Sequence, residues 1–282
     1  MQWLKPLQAK LLAHKYAINA NLLGDHAVLP WSNLGDWSNQ ALNSKKSYPQ
    51  ACQNLAVGLA DHLNLNSNDH LLDLGCGQGA SLLLWQQKYA VKHIEGIELQ
   101  PLHVAKICQH LPNLTAVHCM NFLNSKQFEF KKFDVVLCID AAYHTNLNSF
   151  LNSITPLLNS KGRLGFHTLM WSSEYLNSNF LLQHKYRALL KAADVRAQDL
   201  MTEENLKSCL NTYDFENIEV IDLSTAVLAG FAGYVDQLVK PADAEHMDWL
   251  KIQITAKLCR TLYKDGYVRY VQITAHKKGE LD

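Results

Sequence analysis

The chain has 282 residues, of which 48% are hydrophobic and 18% are charged, and its 26 Lys and Arg residues balance 26 Asp and Glu residues. This composition can bury a sizeable core and excludes wholesale disorder. The neutral charge, without a dense run of Lys and Arg, argues against the basic stripe typical of nucleic-acid binders, so we expect no nucleic-acid partner.

The N-terminal stretch "MQWLKPLQAKLLAHKYAINANLLG" has lysines at positions 5, 10 and 15 and no acidic residue before Asp25. These lysines interrupt the apolar run of ~7–15 residues that an export signal needs. We expect an amphipathic helix packed on the body, with an organelle or membrane-surface role as the alternative. No stretch approaches the ~20 apolar residues of a transmembrane helix, so we expect no membrane span.

The seven cysteines are odd in number and form no C-x-x-C motif, and several lie inside apolar runs, such as Cys138 in "VVLCID". This usage indicates buried free thiols in a reducing compartment, and hence a cytoplasmic protein. Neither the cysteines nor the thirteen histidines show a zinc-binding pattern, so we predict no metal site.

Apolar runs and helical stretches alternate through the first 170 residues. A helix is predicted to begin at Ser47, where Ser47-Tyr-Pro-Gln50 has the pattern of a capping box. Strands separated by helices indicate a doubly wound α/β fold with a mostly parallel sheet. The predicted strands are 70–74, 93–99, 115–119, 133–139 and 163–169, and the predicted helices between them are 80–88, 101–110 and 148–158.

After Trp171 the pattern changes. Residues 171–200 are mostly helical in pattern, Thr202 begins another helix, and two helical stretches at 224–239 and 244–264 separate two predicted strands at 218–223 and 267–275. No linker divides these parts, so we predict a single domain over residues 1–282. Its core comprises about 47–170, 202–223 and 265–277, and its helical cap or lid pieces are 1–46, 171–201 and 224–264.

The stretch "HLLDLGCGQGASL", residues 70–82, places three glycines after a short apolar strand. Gly75-x-Gly77-x-x-Ala80 fits a dinucleotide-binding loop, in which a helix N-terminus holds a pyrophosphate. Glu98, at the end of the next strand, is where an acid binds ribose hydroxyls. These two features suit NAD, but they suit any other adenosine ligand equally well.

Asp73 distinguishes between the two ligand classes. Its carboxylate precedes the glycine bend, next to where a pyrophosphate would lie. The electrostatic repulsion between the two would cost at least a few kcal/mol at ~4 Å and intermediate dielectric. S-adenosylmethionine has no phosphate and carries an ammonium and a sulfonium group. An acid at this position therefore favours a cationic cofactor.

The segments "LLDLGCGQG", "GIEL" and "FDVVLCIDAAYHT" resemble the class I S-adenosylmethionine-dependent methyltransferases, in particular their small-molecule branch of sterol, tocopherol and natural-product enzymes. The resemblance covers residues 47–169 and extends more loosely to "YVRYVQITAHKK" near the C-terminus. It implies a seven-stranded Rossmann-like methyltransferase fold whose last strand is antiparallel. It also implies S-adenosyl-L-methionine as cofactor and S-adenosyl-L-homocysteine as product.

Position by position, the resemblance implies a set of cofactor-binding residues. Glu98 would bind both ribose hydroxyls, and Leu99 would pack on the adenine. Asn121 stands where the family often has an acid, and it would accept from the adenine amine beside Phe122; a plain turn asparagine is the alternative. Asp73, Gly75 and Gly77 would line the methionine end, and Cys76 and Asp140 are also expected to bind the cofactor.

The motif "CIDAAYHT" places Tyr143 and His144 at the carboxyl edge of the sheet, where such sheets bind ligands. Ala141 and Ala142 replace the prolines of enzymes that methylate base amines, which argues against a nucleobase acceptor. His144 is the candidate general base, and His167 in "LGFHTL" is its rival. For each histidine a purely structural role is the alternative, and Tyr143 would contact the substrate or lie near the sulfonium.

The segment "PWSNLGDW", residues 30–37, resembles the family's N-terminal segment that folds over the cofactor. Trp31 and Trp37 would then face the sulfonium through a cation–π contact worth ~0.5–2 kcal/mol. Asp36 replaces the tyrosine usual in the family. Packing of the two tryptophans against the core is the alternative.

We therefore predict a methyltransferase that acts on O, N or C of a small, largely apolar or aromatic molecule. A nicotinamide-dependent oxidoreductase and a non-catalytic adenosyl-cofactor-binding module are the alternatives. The sequence leaves the oligomeric state open, including a homodimer.

Overall fold

The computed structural model describes residues 18–38, 47–124, 131–242 and 244–279. The amphipathic helix expected at the N-terminus falls mostly on residues 1–17, which lie outside the described residues. The described chain begins just before a short 3₁₀ helix at Ala20–Leu23.

Seven strands form one sheet in the order β3-β2-β1-β4-β5-β7-β6. Strands β1 to β5 pair in parallel, whereas β7 is antiparallel to both β5 and β6. The predicted doubly wound sheet with an antiparallel last strand is confirmed. The strands are β1 His70–Leu74, β2 His93–Glu98, β3 Ala116–Cys119, β4 Phe133–Cys138, β5 Leu158–Trp171, β6 Phe215–Asp222 and β7 Val268–Lys277.

Helices cover both faces of the sheet and also form the cap. A π-helical turn at Thr225–Ala229 continues directly into α8, within the stretch predicted as one helix. The helices are α1 Tyr48–His62, α2 Ala80–Lys88, α3 Pro101–His110, α4 Leu147–Ile154, α5 Ser173–Leu176, α6 Phe180–Ala192, α7 Glu203–Thr212, α8 Gly230–Val235 and α9 His246–Asp265.

Helix starts follow local side-chain chemistry in some places and not in others. Thr202 and Asn146 each accept a hydrogen bond from a backbone N–H of the helix that they precede. Ser47 occupies the N-cap of α1 as predicted, but its side chain makes no capping hydrogen bond, so the expected capping box does not form. The predicted helix 148–158 ends earlier because a 3₁₀ turn containing Pro156 follows α4.

The hydrophobic core has three clusters. One lies between the sheet and helices α1 and α2, and a second lies between the sheet and helices α4 and α7. The third joins the N-terminal segment to the caps through buried side chains that include Trp37, Tyr48, Tyr186 and Phe231. The lid and cap pieces therefore share one apolar cluster above the end of the sheet.

Candidate active site

A cavity of about 370 Å³ lies at the carboxyl ends of β1, β2 and β4. Parallel sheets bind ligands at this edge, because the loops that leave neighbouring strands converge there. The cavity is closed partly by Pro30–Asn33 of the N-terminal segment and partly by the segment that follows β4.

The glycine loop after β1 adopts a conformation that side chains resist. Gly75, Gly77 and Gly79 have φ angles of +68°, +55° and +94°. A Cβ atom on Gly77 would lie 2.7 Å from the Oγ atom of Ser32. The N-terminal segment around Pro30–Asn33, called the lid below, therefore approaches the glycine loop closely. Gly75 and Gly77 line the cavity together with Cys76, where the sequence placed them.

Asp73 lies at the end of β1, lines the cavity and is only 1% exposed. Its Oδ2 atom accepts a hydrogen bond of 2.8 Å from the indole Nε1 of Trp85. Burial raises the pKa of Asp73 to about 6, although hydrogen bonds from Ser81 and Trp85 lower it. The site thus holds a carboxylate that is still largely ionised near neutral pH.

Glu98, at the end of β2, is held by two backbone donors. Its Oε1 atom accepts from the N–H of Gln100 at 2.8 Å, and its Oε2 atom accepts from the N–H of Gly77 at 3.0 Å. The Nδ1 atom of His103 lies 3.7 Å from Oε1. Each carboxylate oxygen can accept more than one hydrogen bond, so Glu98 keeps acceptor capacity toward the cavity that it lines. Leu99 lines the same cavity and is 38% exposed.

Asn121 and Phe122 also line the cavity, in the turn after β3. The side-chain oxygen of Asn121 accepts from the backbone N–H of Leu123 at 2.9 Å, which is the turn arrangement considered as the alternative. The ring of Phe122 meets the ring of Phe150 edge-on at 5.9 Å. Contact with adenine stays a prediction for both residues.

Asp140 joins three segments of the chain. Its Oδ1 atom accepts from the hydroxyls of Tyr143 and Tyr270 at 2.8 and 3.0 Å, and its Oδ2 atom accepts from the N–H of Leu34 at 3.0 Å. Its φ of +54° lies in the left-handed region. Burial raises its pKa above the ordinary value, and its hydrogen bonds oppose the shift. Asp140 lines the cavity as predicted, whereas Tyr143 turns its hydroxyl to Asp140 and does not line it.

His144 lines the cavity, and its Nδ1 atom lies 3.2 Å from the carbonyl oxygen of Asp194. This is the structural contact considered as the alternative to a catalytic role. The two roles are compatible, because a proton on Nδ1 that is donated to this carbonyl leaves Nε2 as the basic nitrogen.

Two expectations are corrected by burial. His167 is fully buried on β5, with Nε2 3.4 Å from the side-chain oxygen of Gln272, and it does not line the cavity. Burial lowers its pKa to about 4. Trp37 is 5% exposed, stacks on Tyr234 at 4.4 Å and donates from Nε1 to the carbonyl of Leu34, so it packs the lid onto the core and does not line the cavity.

Trp31 does line the cavity, and a buried acid positions it. Asp25 is 1% exposed and accepts from the backbone N–H groups of Ala27 and Trp31 at 3.0 and 2.8 Å. Asn33 is fixed from the other side, because its backbone oxygen accepts from the hydroxyl of Tyr48 at 2.8 Å. The lid is thus anchored to α1 and to Asp140.

Several lining residues were not expected from the sequence, among them Ser32, His103 and Arg196. Of these three, only Ser32 lies in a segment that was singled out. His103 lies in the first turn of α3 next to Glu98, and Arg196 lies in the loop between α6 and α7. No local pattern marks either residue, because their place in the cavity depends on how distant segments pack.

The described residues form neither a cluster of metal ligands nor a membrane-spanning helix. In that part of the chain no three His, Cys, Asp or Glu side chains form a group that could hold a metal ion. No helix there is long and apolar enough to cross a bilayer. All seven cysteines are free thiols, and Cys52, Cys76, Cys138 and Cys259 are buried.

Residues 46–220, more than half of the chain, match a family model that describes a methyltransferase domain. The chain belongs to this family. The prediction of a methyltransferase from the S-adenosylmethionine-dependent class is therefore confirmed, and the comparisons give no support to a nicotinamide-dependent enzyme. No curated protein matches the chain.

Solved structures share the fold of this methyltransferase at low sequence identity. Geranyl diphosphate C-methyltransferase from Streptomyces coelicolor, in complex with Mg²⁺, geranyl-S-thiolodiphosphate and S-adenosyl-L-homocysteine, has 17% identity and a TM-score of 0.70 over 92% of each chain. The cyclopropane synthase MmaA2 from Mycobacterium tuberculosis has 17% identity and a TM-score of 0.73 over 95% of this chain and 98% of its own. A putative sarcosine dimethylglycine methyltransferase from Galdieria sulphuraria has 12% identity and a TM-score of 0.74 over 93% and 97%.

Proposed function

We propose that this protein transfers a methyl group from S-adenosyl-L-methionine to O, N or C of a small, largely apolar or aromatic molecule. The observation that carries the proposal is that one cavity at the carboxyl edge of a methyltransferase sheet brings together Asp73, the glycine loop and Glu98. The fold alone would not suffice, because a [4+2]-cyclase shares it with a TM-score of 0.66.

The residues of the cavity fit an adenosyl sulfonium cofactor. Asp73 and Asp140 supply negative charge beside the glycine loop, where a cationic methionine end gains and a pyrophosphate would be repelled. Gly77 lines the cavity, and a Cβ there would meet Ser32 at 2.7 Å, so the contact between the loop and the N-terminal segment requires a glycine. Glu98 supports the fit, because it is buried and has acceptor capacity toward the cavity for ribose hydroxyls.

The bound cofactor would supply an electrophilic methyl group, and the chain would supply orientation and a proton acceptor. Holding the acceptor atom in line with that methyl group can contribute an effective molarity of ~10⁵ M or more. His144, with Nδ1 toward the carbonyl of Asp194, would present Nε2 to an acceptor that must lose a proton. Trp31 and Pro30, both in the cavity wall, would exclude water from the reacting atoms.

We also propose that the chain is one methyltransferase domain, since the caps and the N-terminal segment share one apolar cluster. Seven free thiols favour a cytoplasmic location. The same proposal includes a homodimer as the oligomeric state and no nucleic-acid partner. Identification of the methyl acceptor would define the enzyme subclass.

Thermal shift with S-adenosylhomocysteine and with NAD tests the cofactor. We expect protection by S-adenosylhomocysteine and none by NAD; protection by NAD alone would overturn the proposal. Glu98→Gln should weaken S-adenosylhomocysteine binding roughly 10- to 100-fold, because it removes charge-assisted hydrogen bonds. Glu216→Gln, an exposed glutamate on β6, is the matched control and should bind normally.

A tritiated methyl group on S-adenosylmethionine then tests transfer. We expect label to appear in a small organic product from a mixed panel of phenols, amines, carboxylic acids and prenyl compounds. Tight cofactor binding without labelled product from any acceptor, or from a cell extract, would point to the non-catalytic module instead.

A further inference from the structure

Arg196 gives the cavity a positive charge at a place separate from its acidic residues. Among the lining residues in the described part of the chain, it is the one lysine or arginine. It lies in the loop between α6 and α7, which belongs to the cap, whereas Asp73 and Glu98 lie at the ends of β1 and β2 and Asp140 follows β4.

The loop that carries Arg196 is fixed to the active-site segment after β4. The carbonyl oxygen of Asp194 lies 3.2 Å from Nδ1 of His144, and Asn146 donates from Nδ2 to Oδ1 of Asp199 at 3.2 Å. The indole of Trp171 donates to the carbonyl of Ala197 at 3.2 Å. These three contacts hold the loop beside the candidate base.

The guanidinium itself is oriented by one acid. Nε of Arg196 lies 2.6 Å from Oδ2 of Asp199, and the Asp199 side chain is only 11% exposed. Within the described residues, the two terminal nitrogens of Arg196 have no hydrogen-bond or ion-pair partner. Asp199 therefore engages the inner nitrogen and leaves the outer pair, which suits two-point binding of a carboxylate or phosphate.

The acids of the cavity do not compete for this guanidinium. Glu98 is held by two backbone N–H groups, and Asp140 by two tyrosine hydroxyls and the N–H of Leu34. Asp73 is held by Trp85 and Ser81. Each carboxylate is thus held by donors other than Arg196.

We propose that the methyl acceptor carries an anionic group, a carboxylate or a phosphate, which the outer nitrogens of Arg196 bind beside His144. This inference rests on the proposed function and specifies the acceptor class: an apolar or aromatic body with one anionic group. The body would contact apolar lining residues such as Pro30, Trp31 and Ile139, and the anion would fix its orientation toward His144.

The test uses the full chain saturated with S-adenosylhomocysteine and matched pairs of probes. Cinnamate is paired with cinnamamide, and geranyl phosphate with geraniol, so that each pair differs only in the anionic group. Ligand-observed NMR detects weak binding, and titration gives the dissociation constants. We expect the wild-type protein to prefer the anionic member of at least one pair roughly tenfold or more.

Variants separate a direct contact from a general charge effect. Arg196→Gln should abolish the preference, and Arg196→Lys should retain only part of it, because lysine lacks the fork of donors. Since Arg196→Gln leaves the Asp199 carboxylate without its cationic partner, the double variant with Asp199→Asn removes both charges and should also lose the preference. Arg187→Gln, an exposed arginine on α6, is the matched control and should keep it.

Two outcomes would overturn the inference while leaving the cofactor assignment intact. One is wild-type protein that binds S-adenosylhomocysteine but shows no preference for, or no binding of, the anionic probes. The other is an equal loss of S-adenosylhomocysteine affinity in Arg196→Gln, which would assign Arg196 to the carboxylate of the cofactor. Failure to bind S-adenosylhomocysteine at all would instead contradict the proposed function.

Discussion

The indole of Trp85 donates a hydrogen bond of 2.8 Å to the carboxylate of Asp73, and both side chains are buried. The two residues lie twelve positions apart, on α2 and at the end of β1, on either side of the glycine loop. The helix that follows the loop therefore fixes the acid that precedes it, and its hydrogen bonds offset part of the rise in pKa that burial causes.

Trp85→Phe should weaken S-adenosylhomocysteine binding at pH 7 and move its pH dependence to higher pH. The pKa of Asp73 is about 6, and loss of a donor to the ionised form raises it further, so less carboxylate is available for the ligand's ammonium group. Calorimetric titrations between pH 5 and 8.5 measure the midpoint. Ser81→Ala removes the second hydrogen-bond donor to Asp73 without creating a large cavity in the core. It should shift the midpoint in the same direction. An unchanged midpoint in both variants would contradict this role.

Asp140→Ala should loosen the lid. The substitution removes the acceptor for the N–H of Leu34 and for two tyrosine hydroxyls, at a cost of about 3 kcal/mol or more in the free energy of unfolding. Hydrogen exchange should speed up at the Leu34 amide and S-adenosylhomocysteine should bind more weakly. Tyr143→Phe removes one hydroxyl and keeps the lid bond, so the Leu34 amide should exchange as in the wild type. Equal protection in all three proteins would show that the lid is held by other contacts.

His144→Gln should lower kcat for methyl transfer by ~10²–10⁴ with an acceptor that must lose a proton, while the affinity for S-adenosylhomocysteine changes little. Single-turnover transfer of a tritiated methyl group to each acceptor found in the panel measures this effect. His167→Gln serves as the comparison, because His167 is buried away from the cavity and its variant should keep the rate of a folded enzyme. A larger rate loss in His167→Gln than in His144→Gln would reverse the assignment.

Asp73 and His167 should have opposite effects on stability in acid. The pKa of His167 is about 4 in the folded protein, compared with an ordinary value of 6.5. Between these two pH values the unfolded state binds more protons, so the stability contributed by His167 falls as pH falls. The pKa of Asp73 is about 6 in the folded protein, compared with an ordinary value of 3.8. Between these values the folded state binds more protons, so the stability contributed by Asp73 rises as pH falls. Each contribution is about 3 kcal/mol at most.

Denaturant unfolding from pH 4 to 7 separates these two contributions. Relative to the wild type, His167→Gln should gain stability as pH falls, and Asp73→Asn should lose it. Parallel curves for all three proteins would mean that neither group changes its protonation on folding. Exposed carboxylates contribute equally to the three curves and so cancel in the comparison.

Much of the fold could be predicted because local patterns determine it. The apolar run of β4 and the strand–loop–helix at Asp73 to Ala80 each carry their own structural signal, and the cofactor-side residues follow from them. The sequence could not decide between the two roles left open for Trp37 and for His167, because contacts with Tyr234 and Gln272, far along the chain, determine their environment. Arg196 could not be found at all, since an arginine in a polar loop has no signal until the loop is docked.

The acidic residues and the arginine of the cavity come from different stretches of the chain. Strand ends supply Asp73 and Glu98, whereas an insertion between β5 and α7 supplies Arg196. On the proposed roles, substitutions in this insertion would change the acceptor while Asp73 and Glu98 keep their places at the donor end. Grafting residues 172–201 between relatives is the corresponding route for an engineer who wants a different product from the same scaffold.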